Sequence, residues 1–458
     1  MGRKLLFPLD EESNEVVKRY EQYLSGTANG YFDVEELVDI VEYYLRRGRT
    51  KDSMKALELG FKLHPNSGEL KIKRAKTFLA TGDNQSAFLL LDTLAEKNDY
   101  EALLLRTEVL IRLGREKEAR ILCNRLISQE HEERDNICLD IANIYSSQGD
   151  LTTAVYWLQK GDGYNNKNAD LLFELAFCYE QSLDFKKAVE TYNRIIDIDA
   201  FMSEAWFNLG QSFFAQQDFV KALEAYDFAL SIEQNDALAL LQKAHTHFQM
   251  DQFTEAIQAY RDYGDLTNDK WQTSLFLAEC FEKLERYNDA IEHYSHSLEV
   301  YPDNYDALVG IGICMLEQER YAESIKYFKD ALALQEDASD AWVYLAEALI
   351  GLNDNDNALL AYNRSLTLDP RQPDTLMASA SLYLEKSDYE TALDYYLSAR
   401  QQDSQQEFID LFISICYFKT GNDEFGVYYM QEAIKQSDEA KRLFLDLYPE
   451  YAQLLDIS

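Results

Sequence analysis

Apolar residues recur along this chain at the spacing of one helical face, in two stretches that return together every 34 residues. Residues 203–236 show the pattern most fully. Trp206, Leu209, Gly210 and Phe213 mark the buried face of a first helix; Ala222, Tyr226 and Ala229 mark that of a second. Copies beginning at residues 34, 68, 100, 135, 169, 203, 237, 271, 305, 339, 373 and 407 each predict the same helical hairpin. Position 20 of the copies reads Ser53, Ala87, Ala119, Ala154, Ala188, Ala222, Ala256, Ala290, Ser324, Ala358, Ala392 and Gly426, and nothing larger than serine occurs there. Those three residue types make up roughly a fifth of average composition, so an unbroken run of them is a packing constraint. A unit that cannot bury its own apolar face, repeated at a fixed period, predicts a stacked all-α solenoid.

Position 8 is small in the same way, from Ala75 and Ala142 through Gly210 and Gly312 to Ser414, and only Val41 is bulky. Small residues at 8 and 20 let the two helices approach closely. Large partners fill the space beside them, such as Tyr145, Tyr179 and Phe281 at position 11 and Tyr192, Tyr226, Tyr260, Tyr294 and Tyr396 at position 24. Gly48, Gly82, Gly114, Gly149 and Gly421 all fall at position 15, a turn where glycine accepts positive φ. Pro65, Pro302 and Pro370 all fall at position 32, where proline stops the second helix. This pattern resembles the tetratricopeptide repeat over residues 34 to about 440. The resemblance implies antiparallel helix pairs wound into a right-handed superhelical α-solenoid.

The repeats predict one continuous array at 34–440, with a capping helix within residues 1–33 and another within 441–458, broken near Pro449. Val16, Val17, Tyr20, Tyr23 and Leu24 give the first cap its apolar face. Departures concentrate at the ends. The copies at 68 and 100 are 32 and 35 residues long and carry Lys71 and Leu103 at position 4, and the copy at 407 puts Asp410 there. Terminal repeats lack one neighbour, so atypical sequences are expected in them.

Charge is uneven. Residues 34–134 hold 18 basic and 18 acidic side chains, whereas residues 135–458 hold 22 and 57. Such a surface repels phosphate backbones and anionic lipid, which argues against nucleic acid and membrane partners. It serves solubility, and more sharply it selects a basic partner. The six cysteines sit at core positions without a CxxC pair, as expected of buried thiols in a reducing compartment. No apolar run of 18 residues occurs, and the start MGRKLLFPLDEES lacks a signal-peptide core. The expected location is cytoplasmic.

Catalytic patterns are missing from the sequence: there is no HExxH, P-loop or GxSxG. His293 and His296 are three apart on a second helix without an evident third ligand, and His247 takes an aromatic core slot. Gly310 and Gly312 fall inside a first helix, as packing residues rather than a phosphate loop. The chain is expected to be no enzyme and to need no cofactor or metal.

At 100° per residue, positions 4, 7, 8 and 11 face the core, and positions 2, 5, 6, 9, 12 and 13 face the other way. The resemblance implies that this second side lines a concave groove for extended peptides. Its middle copies offer Phe173, Phe177, Phe207, Asn208, Gln211, Phe214, Gln242, His245, Phe248, Phe276 and Glu279 as partner-binding candidates. Amides can bind a peptide main chain while rings accept apolar side chains. Aromatics at positions 5 and 12 also serve packing, so Phe177 and Phe276 stand out. The carboxylate clamp that reads chaperone tails needs Lys and Asn at positions 5 and 9 and at 2 or 6; position 5 is apolar throughout, and Lys73 and Lys76 lack its other members. The long asparagine ladder at position 6 is missing too.

Phe408, Leu411, Phe412, Ile415 and Phe418 form an apolar face in the last copy, expected to be covered by the C-terminal tail or by a second subunit. The expected function is a protein-binding scaffold or adaptor holding a protein or extended peptide, with a basic segment as the sharper expectation. The alternative is a structural subunit that forms a homodimer or assembles a larger complex through its terminal repeats.

Overall fold

Three residues join the two helices of every pair, and they close one helix while opening the next. In the pair Ala169–Gln181 and Phe185–Ile198, Leu183 takes a left-handed backbone with φ 59°. Its N–H reaches the Glu180 carbonyl and the Asp184 N–H reaches the Tyr179 carbonyl, both at 2.9 Å, so the last carbonyls of the first helix are satisfied. The Asp184 carboxylate then accepts from the Lys187 N–H and caps the second helix. The bond from position 16 to position 11 is made in all twelve pairs, at 2.8–3.0 Å.

Ten of the twelve position-16 residues solve their capping problem in one of two ways. Asp83, Asp150, Asp184, Asp218, Asp354 and Asp388 accept from the N–H three residues on. Where arginine stands instead, an acid stands three residues later: Arg49 pairs with Asp52, Arg115 with Glu118, Arg286 with Asp289 and Arg320 with Glu323. Those acids lie in the first turn, where the helix dipole favours negative charge.

The computed structural model describes residues 11–26, 30–94, 99–129, 132–406, 408–436, 438–447 and 449. Twenty-six helices and no strand occur among these described residues. First helices start within two residues of each predicted copy, and every second helix starts at position 17. The twelve residues at position 20 are buried, as are the twelve at position 8. All twelve position-15 residues have positive φ; besides the five glycines these are Leu183, Gln217, Asp251, Glu285, Glu319, Asn353 and Ser387. Pro65, Pro302 and Pro370 each stand two residues beyond a second helix.

The chain divides into two compact units, residues 1–234 and 235–458. The boundary falls between the sixth and seventh pairs. Unit 1 opens with the helix Glu11–Leu24, which buries Val17 and Tyr20 against Phe32, Leu37, Ile40 and Tyr44. Residues 1–10 and 27–29 of the expected cap lie outside the described residues.

Unit 2 closes with the helix Asp438–Leu447, whose Ala440 and Phe444 cover Leu411, Ile415 and Phe418. The Phe418 and Phe444 rings meet at 5.6 Å. Phe408 and Phe412 pack at the margin of the same cluster, so the apolar face of the last copy is covered within the chain. Residues 448 and 450–458 of the expected cap lie outside the described residues. Asp410, at a core position, is satisfied there: Arg400 Nε donates at 2.6 Å and Gln436 Nε2 at 3.0 Å.

Candidate partner-binding site

The tyrosines at position 24 carry their hydroxyls through the helix pair to the side predicted to bind. Tyr226 donates to Gln211 at 3.2 Å in unit 1. In unit 2, Tyr260 meets His245 Nδ1 at 2.7 Å, Tyr294 donates to Glu282 at 2.7 Å, and Tyr396 meets Ser381 at 3.0 Å. Each partner stands at position 9 or 12 of its own copy. Residues chosen as core fillers therefore also orient polar groups on the opposite face.

Unit 1 holds a cleft of about 520 Å³ built on the copies at 135, 169 and 203. Phe173 and Phe177 form its apolar part, and Asp170, Glu174, Glu180 and Glu204 supply carboxylates. Asn143, Ser146, Ser147 and Asn208 add neutral polar groups, and no basic side chain lines the cleft among the described residues. Phe173 packs edge-on against Tyr192, with ring centroids 6.1 Å apart. Burial raises the Glu180 carboxyl above its ordinary range, against hydrogen bonds from Ser212, at 2.6 Å, and Tyr192. A half-buried carboxylate of this kind gains most from a cation that restores its lost solvation. Rings beside it offer their faces to the same cation or to its methylene stem.

The predicted candidates divide by what covers them. Phe173, Phe177 and Asn208 line the cleft. Phe207 packs on Tyr226 at 6.0 Å and Phe214 on Phe219 at 5.4 Å. In unit 2, Phe248 packs on Phe253 at 5.3 Å, and Phe276 stacks on Tyr260 at 4.8 Å with His245 edge-on at 5.1 Å. Phe276, singled out by its position, is thus part of an aromatic stack. Gln242 is half-buried, and its carbonyl accepts from the Thr246 hydroxyl at 2.7 Å. Burial, with Asp306 and Glu282 as like-charged neighbours, pushes the Glu279 carboxyl up to about 7.

The aromatic-led selection missed Asp170, Glu174, Glu180 and Glu204. They occupy positions 2, 6, 12 and 2 of their copies, so the same face rule applied to carboxylates would have found them. The mixed charges of the first copies neutralise one another instead. Lys73 is buried between Glu42, at 2.6 Å, and Glu101, at 2.8 Å; Lys76 also reaches Glu101, and Arg112 pairs with Glu108. Lys73 and Lys76 are therefore held in ion pairs on this face.

All six thiols are buried, and burial pushes them up to about 11 or 12, so none is a thiolate near neutral pH. His293 stacks on Phe281 at 5.2 Å, with His296 edge-on to it. No group of three or more His, Cys, Asp or Glu able to hold a metal occurs among the described residues. No helix among them is long and apolar enough to cross a membrane.

Comparison with known proteins agrees with the repeat frame. One tetratricopeptide-repeat family model matches residues 272–337, and another matches 72–133, 179–237, 316–373 and 343–407. A model of the anaphase-promoting complex, cyclosome, subunit 3 matches residues 215–297. No curated protein matches the sequence. Among solved structures, the chain is similar to the APC/C hetero-tetramer Cut9-Hcn1, with 14% identity, 87% of this chain and 98% of that one covered, and a TM-score of 0.40. A tetratricopeptide repeat protein from Parabacteroides merdae shares 17% identity over 54% of this chain and 98% of its own, with a TM-score of 0.45. YrrB, described as a TPR protein with an unusual peptide-binding site, shares 17% identity over 42% and 98%, with a TM-score of 0.35.

Proposed function

This chain belongs to the tetratricopeptide-repeat family, and from that premise we propose that it is a protein-interaction scaffold whose unit 1 cleft holds a basic segment of a partner protein. One observation carries the reading: four carboxylates and two phenylalanines share a cleft of about 520 Å³. A Lys or Arg entering it meets Asp170, Glu174, Glu180 and Glu204 while its stem lies along Phe173 and Phe177. Asn143 and Asn208 stand beside that path as main-chain partners. The acidic balance of residues 135–458 adds a longer-range attraction for the same kind of segment.

Fluorescence anisotropy with two labelled decapeptides tests this. One alternates Lys and Arg with Leu; the other carries Glu in the basic positions. The basic peptide should bind, and its affinity should fall at least tenfold between 50 and 300 mM NaCl (an order-of-magnitude expectation for a few screened charge contacts). Equal binding of both peptides, or no salt dependence, would remove the electrostatic part of the proposal.

The match of residues 215–297 to the anaphase-promoting complex subunit 3 model favours a second reading, a structural subunit of a larger protein assembly. Self-association through Phe408, Leu411, Phe412, Ile415 and Phe418 would have to displace the helix Asp438–Leu447. Light scattering on the purified chain separates these readings, since a stable dimer contradicts the monomeric adaptor.

A further inference from the structure

We propose that Phe201, Trp206 and Phe228 form a second docking surface on unit 1, for a partner segment with an apolar centre between basic ends. The surface shares no lining residue with the cleft and does not depend on it. Trp206, at position 4, stacks on Phe228 with ring centroids 4.5 Å apart. Its indole N–H donates to the Ala200 carbonyl at 2.9 Å, which holds the ring against the turn that carries Phe201. Phe201 is 81% exposed and Phe228 52% exposed.

The repeat does not require either exposed ring. Position 26, where Phe228 stands, is polar or charged in ten of the other eleven copies, with Leu59 the exception. Position 33, where Phe201 stands, is polar in every other copy long enough to have it. The copy at 339 shows the usual solution. Trp342 donates to the Glu336 carbonyl at 3.0 Å in the same way, but Arg364 takes position 26 and pairs with Glu336 at 2.8 Å. Packing therefore accounts for Trp206 and leaves two phenylalanines in water beside it. Clustered exposed rings mark an interaction surface, and aromatic residues are enriched at the centres of protein interfaces.

Charge decides the occupant. The Asp199 carboxylate accepts from the Phe201 N–H at 2.9 Å and that of Glu233 from the Ser203 hydroxyl at 3.2 Å, so both flank the segment that carries Phe201. Residues 197–234 hold seven acidic side chains and one basic, Lys221. Arg194, at position 26 of the preceding pair, is already held by Asp162 at 2.5 Å. A second copy docking by twofold symmetry would set this acidic rim against itself, and like charges so juxtaposed oppose association. A partner segment with Lys or Arg on either side of an aliphatic or aromatic anchor satisfies the rings and the rim together.

The test uses the full chain and a labelled nonapeptide with Leu–Phe–Leu at its centre and two lysines at each end. Anisotropy titrations are made on the wild type and on Phe177→Ala, which weakens the cleft. In both backgrounds Phe201→Ser/Phe228→Ser should lower affinity roughly tenfold or more, as expected for losing central interface rings. Phe201→Ser alone should lower it in the same direction while melting like its parent, since that side chain is 81% exposed. Patch substitutions without effect in the Phe177→Ala background overturn the proposal and leave the cleft reading standing. No binding of the lysine peptide, or equal binding of a version ending in glutamates, also overturns it. So does a dimer, measured by sedimentation equilibrium, that Phe201→Ser/Phe228→Ser dissolves, because a second copy would then be the occupant.

Discussion

The Ser324 hydroxyl donates to the Gly312 carbonyl at 2.9 Å, across the interior of one helix pair and sealed from solvent. The last pair repeats the arrangement in reverse, with Ser414 donating to the Gly426 carbonyl at 2.8 Å. Positions 8 and 20 therefore face one another closely enough for a side chain on one helix to reach the backbone of the other. At Gly312 and Gly210 the neighbouring position-24 ring leaves no room for a larger residue. A Cβ on Gly312 would stand 2.5 Å from Cε1 of Phe328, and one on Gly210 would stand 2.5 Å from Cε1 of Tyr226.

Gly312→Ala should accordingly destabilise its unit by about 1–3 kcal/mol, the usual cost of overpacking a filled core. Denaturant unfolding measures this directly. An unchanged midpoint would mean that the pair can open without cost.

Position 15 makes a prediction of the opposite sign. Leu183 and Glu285 hold left-handed backbones at φ 59° and 56° without being glycine. Replacing either by Gly relieves roughly 1–2 kcal/mol of local strain, less about 0.5–1 kcal/mol of added chain entropy, so each change should raise stability slightly. Gly149→Ala, by the same balance, should lower it by about 0.5–1 kcal/mol. Thermal melts of the three variants should order as Leu183→Gly above wild type above Gly149→Ala.

Asp410 is buried and depends on Arg400 and Gln436. Arg400→Met should cost about 2–3 kcal/mol, toward the low end for a buried pair because the Arg400 side chain is a third exposed. Adding Asp410→Leu to that variant should recover most of the loss, since an apolar pair needs no charge partner there. A double variant as unstable as the single one would contradict this assignment.

Glu279 predicts a pH dependence. Burial and the neighbouring carboxylates push it up to about 7, so the folded state holds its proton more tightly than the unfolded chain does. The stabilisation is complete below the unfolded value of 4.5 and is lost as pH rises through about 7. Wild type should lose more thermal stability than Glu279→Gln between pH 5 and pH 8. Parallel pH profiles for the two proteins would contradict the assignment.

Much of the fold was legible because one spacing controls it. Small residues at positions 8 and 20 located the hairpins, and Pro65, Pro302 and Pro370 located the helix ends. The turns were legible only where glycine stands. At Leu183 or Glu319 the left-handed backbone is imposed by the hydrogen bonds that close the first helix, and the side chain merely tolerates it.

The candidate site was harder to read, because a face rule says where a ring points and not whether a neighbour covers it. Phe207 and Phe276 lie on the predicted side yet pack on Tyr226 and Tyr260. Phe177 and Asn208 line the cleft. The carboxylates around them are visible in the sequence, where they contribute only to the bulk charge. Only their placement around Phe177 makes net acidity a candidate site.

The account is tested most directly by the affinity of the Lys/Arg–Leu decapeptide for Phe177→Ala and for Glu174→Gln/Glu204→Gln, measured by anisotropy beside melting curves of the same proteins. Each variant should bind at least tenfold more weakly (an order-of-magnitude loss, about 1.4 kcal/mol) while melting like the wild type. Undiminished affinity in both variants would show that the basic segment binds elsewhere and would contradict the cleft as the partner site.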